Sequence, residues 1–295
     1  MRKVKTEHYY DLLPTLEHRP GDIWSDLPTH GILRLSTAAG LVITPACDLQ
    51  NRKVETITYL PVVSTHQFFA SAFFAATVVG QVNHLVAQLS GPSDVRIPQL
   101  GRAAAADELR KMQLRITEFG EKAGNDKSHR LIERISLGVA HLHGSVSTQM
   151  QGASLDALRS LFGEKEWGAI CEKLVRNSLH SGLHFLPADK QDPDWSGVVA
   201  HSVVLFRCPL TAPIEIFELA QDISLSDWGV AMNSIRDATP MAGAFKLRPI
   251  KRMRLQSRFM ADILSRYIAL YGRIGSPDFT QETVRTLSRE VGGIE

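Results

Sequence analysis

Residues Pro20 to Thr65 read PGDIWSDLPTHGILRLSTAAGLVITPACDLQNRKVETITYLPVVST, and the rest of the chain is read around them. Gly40-Leu41-Val42-Ile43-Thr44 is a short β-branched run bounded by Gly40 and Pro45, as a buried strand requires. Thr56 to Val63 opens with β-branched and aromatic residues in partial alternation, and Pro61 demotes its far end to an edge or a bulge. Ile32 to Leu35 supplies a third strand, and Pro20-Gly21-Asp22 is a turn before Ile23-Trp24. The stretch therefore reads as the start of a small β-barrel, with an unusual loop, Cys47-Asp48-Leu49, at one strand end.

Beyond Thr65 the pattern becomes helical. Gln67–Leu89 is rich in Phe and Ala, free of proline and stopped by Ser90-Gly91-Pro92. Helices follow over Gly101–Lys122 and Ser128–Leu142, then from the Ser154 cap to Gly163, then over Glu166–Val175. Strand character returns at Gly182–Leu186 and Val198–Cys208. From Ile214 the chain turns helical again, with a long helix over Leu255–Ile274 and a short one over Thr280–Val291. Met1–Arg19 reads as a helix or arm whose Tyr9, Leu12, Leu13 and Leu16 are available to pack.

The motifs PGDIW, LVITP and an apolar strand ending in Ser64-Thr65 resemble the MazF/PemK toxin family of ribosome-independent endoribonucleases, over Pro20–Thr65 alone. The resemblance implies an SH3-like barrel and a catalytic pair. Its serine or threonine matches Ser64 or Thr65. Its arginine falls at Ala38 and Ala39, so Arg34 would have to be brought round by the barrel. Half of the pair being absent, the resemblance points to a toxin-like protein that binds without cleaving, with an active endoribonuclease as the alternative and a structural subunit of a complex as a third. The Cys-Asp-Leu turn resembles bacterial proteins found beside phage-defence genes. A defence or toxin–antitoxin setting follows from these resemblances.

The architecture expected is α+β. An SH3-like β-barrel (1–65 and 180–210) is interrupted by a large helical insertion (66–179) and followed by a helical C-terminal region (211–295). At 295 residues, 44% hydrophobic and 22% charged, this is ordinary globular composition, and a net charge of +2 names no partner. Three scattered cysteines make no disulfide framework, and Met1–Arg19 has no apolar core of signal-peptide length, so the expectation is cytoplasmic. Phe68–Val79 is too short to span a bilayer.

Two places carry candidate chemistry. Cys47 is a nucleophile if His30 or His66 lowers its thiol pKa, and otherwise a small buried hydrophobe, with Asp48 bonding turn amides. Lys246, Arg248, Lys251, Arg252, Arg254 and Arg258 form a basic run without an intervening acid, which suits a phosphate backbone or a partner encoded in the same operon. Six cations so close repel one another unless acidic side chains or an anionic ligand lie opposite. His184, His201 and Cys208 lack paired metal-ligand spacing, so no metal and no cofactor are expected. No Walker or Rossmann loop, HExxH or GxSxG is present.

Overall fold

The computed structural model describes residues 9–11, 15–29, 31, 35–89, 96–102, 104–146, 154–188, 200–236 and 240–272. Its strands are β1 (Tyr10–Asp11), β2 (Asp22–Pro28), β3 (Thr37–Val42), β4 (Thr56–Ser64), β5 (Leu183–Leu186), β6 (Ser202–Leu205), β7 (Leu210–Pro213) and β8 (Ile250–Leu255). All pairings are antiparallel and join one sheet in the order β1-β8-β2-β3-β4-β6-β5, with β7 also on β4. Strands from both 20–65 and 182–208 therefore share a sheet, through the β4–β6 pair.

The sheet is open, which corrects the expected barrel. β1 and β5 end the order and do not pair with each other. Helices cover both faces of the sheet, and that buries its apolar surface without closure. The expected helical C-terminal region is corrected as well: Ile250–Leu255 is a strand lodged between β1 and β2. Of the strand expected at Ile32–Leu35, residues 32–34 lie outside the described residues, as does the helix expected over 280–291.

Pro61 does not mark an edge, because β4 lies inside the sheet. Thr58 directs its backbone toward β3: its carbonyl accepts from the Ile43 amide and its own amide donates to Thr44 Oγ1. Odd-numbered positions, Pro61 among them, therefore face the other way. On that side β7 pairs with Thr56–Tyr59 and β6 with Val62–Ser64. Pro61 sits where one partner ends and the next begins, so its missing donor leaves no ladder bond unmade. Opposite it stands Gly40, where a Cβ would lie 2.6 Å from Leu27 Cδ1 and 2.7 Å from Tyr59 Cδ2.

Alternation along β4 sorts the core. Leu60 and Val62 face one side with Ile23, Leu41, Val204, Met253 and Leu255, under helix α10 (Ser257–Tyr271). Ile57 and Tyr59 face the other side with Trp24, Val42 and Phe217, against α8 (Ile214–Gln221) and α9 (Trp228–Arg236). Val63 shares that second side, where Val203 and Leu205 meet α2 (Thr65–Ala70), α3 (Ala72–Gln88), α4 (Ala106–Lys122), α5 (Asp126–Val146), α6 (Leu155–Phe162) and α7 (Glu164–Val175). The expected single helix 67–89 is broken at Ser71, whose extended backbone and hydroxyl bond to the Phe68 carbonyl (2.6 Å) compete with helix geometry. A five-residue helix, α1 (Ala46–Gln50), carries the Cys47 turn after β3.

Candidate nucleic-acid interface

The basic run is a strand with one residue too many. Ile23 pairs with Met253 and Trp24 with Lys251, leaving Arg252 as a bulge on β8. Strict alternation would put Lys251 and Arg254 on opposite faces. The bulge absorbs one residue and turns both onto the face of Asp22 and Trp24.

Asp22 is fully buried and answers part of the repulsion. Its carboxylate accepts from Arg254 Nε at 2.6 Å and lies 3.1 Å from Lys251 Nζ, and it also accepts from the Arg19 amide at 2.9 Å. The Lys251 side chain is 4% exposed and that of Arg254 14%. Lys251 also donates to the carbonyls of Thr15, Leu16 and Glu17, which straps residues 15–19 across the sheet, and stands 5.4 Å over the Trp24 ring. Burial pushes its ammonium pKa down, and the Asp22 carboxylate works against that shift. His18, on the same strap, is lowered to about 4 by burial and then by Lys251.

The other cations of the run have separate settings. Arg248 donates to the carbonyls of Ala220, Asp222 and Leu225 and so ties down the segment after α8. Arg252 is exposed and donates to Ser25 Oγ at 3.1 Å. Lys246 is exposed. Arg258, also exposed, lies over the Phe259 ring at 4.6 Å, within cation–π range.

Arg254 and Arg258 meet again at a groove of about 810 Å³, lined by Tyr10, Asp11, Arg19, Arg254, Leu255, Gln256, Ser257 and Arg258. Its charged lining is Asp11, Arg19, Arg254 and Arg258; Arg254 is also bonded to Asp22 and Arg19 to Glu17. α10 begins at this groove, and the first amides of any helix lack intrahelical partners. The Gln256 side chain makes no capping bond, and the first turn holds no acid. Arg258 in that turn has the wrong sign for the positive end of the helix dipole, and an anion in the groove would relieve both. Arg19 is exposed and reaches Glu17 at 2.5 Å.

No family model, no curated protein and no solved structure matches this chain.

Of the candidate catalytic residues, Ser64 and Thr65 lie apart from Cys47 and Asp48. Val42 at the end of β3 pairs with Tyr59, while Ser64 ends β4 five residues further on. At roughly 3.4 Å per residue that is about 17 Å, so the Cys47 turn and Ser64-Thr65 lie toward opposite ends of β4. Ser64 caps α2: its hydroxyl accepts from the Gln67 amide, and Gln67 Oε1 accepts from the Ser64 amide. Thr65 donates its amide to the His201 carbonyl. Arg34 and His30 lie outside the described residues. Cys47 is exposed, which corrects the reading of it as a buried hydrophobe, and its thiol faces Asp48 Oδ1 at 3.5 Å. Among the described residues there is no group of three His, Cys, Asp or Glu side chains placed to hold a metal, and no helix is long and apolar enough to cross a membrane.

Sequence reasoning passed over Asp22 and Arg19. Asp22 reads as a turn residue after Pro20-Gly21. Only the pairing of β2 with β8, 232 residues away, reveals it as the partner of the basic run.

Proposed function

We propose that this protein binds the phosphate backbone of a nucleic acid, without cleaving it, in the groove formed by β1, β8 and the start of α10. The observation that supports this is the convergence of Arg19, Arg254 and Arg258 on one groove at a helix start with no side-chain cap and no acid in its first turn. Guanidinium groups pair with phosphate oxygens through short charge-assisted bonds, and helix amides add further donors. Contacts of this kind position a strand and carry no sequence information, so the preference expected is for backbone over base. A binding role is favoured over cleavage by the capping duty of the Ser64 hydroxyl.

The test is fluorescence anisotropy with labelled single- and double-stranded RNA and DNA at low salt. Arg19→Glu and Arg258→Glu each reverse a charge in the groove without touching Asp22, and both are expected to weaken binding of every sequence alike. Lys246→Glu, outside the groove, is expected to bind as wild type does. Equal weakening by all three variants would move the interface elsewhere, and no binding by wild type would leave a protein partner as the better account of these cations.

A further inference from the structure

His184 on β5 is buried to 1% exposure, and neither of its ring nitrogens has a hydrogen-bond partner. A histidine in a core ordinarily has at least one nitrogen satisfied, and an orphaned buried polar atom calls for an explanation. The ring lies on the face covered by α10. On the sheet side it meets Val204, its strand partner, and the ring of Phe206 at 6.2 Å. Two charged groups face it, both from α10. Asp262 Oδ2 is 4.0 Å from Nδ1, beyond hydrogen-bond length, and Arg266 holds that same oxygen at 2.9 Å. The nearby phenols do not supply charge: Tyr9 and Tyr267 are both held above the ordinary tyrosine range, chiefly by burial.

We propose that His184 makes the seating of α10 on the sheet acid-labile: the one carboxylate facing a ring proton, Asp262, stands 4.0 Å away and is already held by Arg266, so acid favours a state in which α10 lifts and the ring meets water. Because α10 contributes Ser257 and Arg258 to the groove, the same step dismantles the groove. The switch itself does not depend on what the groove holds.

Burial sets the sign. Desolvation lowers the His184 pKa from 6.5 to about 4, with Asp262 opposing and Arg266 adding to the shift. The seated state is therefore poorer in protons than the lifted one between those values, and falling pH favours lifting. Taking 6.5 for the exposed ring and about 4 for the seated one, the lifted-to-seated ratio rises roughly 25-fold from about pH 7.5 to about pH 5.

Hydrogen exchange of the intact chain at those two pH values, corrected for intrinsic exchange rates, tests this. The expected result is that amides of 257–271 lose protection at the lower pH by roughly that factor, that β3 and β4 do not, and that His184→Phe abolishes the loss. Protection of α10 that does not change with pH, or the same loss in His184→Phe, would overturn the proposal. Should that variant fail to fold, NMR titration of the wild-type His184 ring decides alone. A midpoint well below 6.5 supports the switch, and one at or above 6.5 overturns it.

Discussion

Replacing Asp22 with alanine removes the one carboxylate that lies between two buried cations. Lys251 and Arg254 stand 3.1 and 2.6 Å from it, with 4% and 14% of their side chains exposed, so neither can turn to water without moving β8 or the 15–19 strap. Breaking one partner out of a buried pair costs about 3–5 kcal/mol, since the remaining charge stays desolvated. Two cations remain here, and the Arg19 amide loses its acceptor too, so the upper end of that range is expected. Against a total stability of roughly 5–15 kcal/mol the loss is large. Urea denaturation followed by circular dichroism is the assay: the midpoint should fall with little change in slope. Lys251→Met is expected to cost less, because Asp22 keeps Arg254. In the double variant, Asp22→Ala should cost less than it does alone, by a coupling of about 0.5–3 kcal/mol. A single Asp22→Ala variant within about 1 kcal/mol of wild type, or strict additivity in the double, would refute the view that the cations of β8 are held by this carboxylate.

Three further outcomes are expected. Gly40→Ala puts a methyl group against Leu27 and Tyr59 in the middle of the sheet, and overpacking of this kind costs about 1–3 kcal/mol by urea midpoint. Cys47→Ala removes an exposed thiol, so its stability should stay within about 0.5 kcal/mol of wild type, with nucleic-acid affinity unchanged by anisotropy. Ser64→Ala removes the α2 cap and should lower stability by about 1 kcal/mol in the same denaturation assay, again without altering affinity; a selective loss of function with stability intact would return Ser64 to the chemistry.

Much of the helical layer was legible because its signals are local. Ser154 and Gly163 bracket α6 where the sequence places them, and α7 and β5 fall within a residue or two of expectation. The misreadings of the sheet share one cause: each depends on a partner distant in the chain. Ile250–Leu255 falls within a region that reads as helical because the Arg252 bulge spoils its alternation, and only β2 fixes its register. Pro61 looks like an edge because a proline's tolerance depends on what faces its nitrogen, here the junction of β6 and β7. Whether a sheet closes is likewise settled by how its end strands are covered, which Pro20–Thr65 does not contain. The basic run itself was visible in the sequence, but its division into cations held by Asp22, cations tying down loops and cations lining a groove was not.

The reading of the groove stands or falls on how wild-type affinity for a short nucleic acid depends on salt. With Arg19 and Arg258 in contact, log Kobs should fall linearly with log salt with a slope of about −1.4 to −1.8, from roughly 0.7 to 0.9 per phosphate, and the slope should shrink by about that single-contact amount in Arg258→Glu. Absence of binding at low salt, or an affinity that does not respond to salt, would contradict the assignment of this groove to a phosphate backbone.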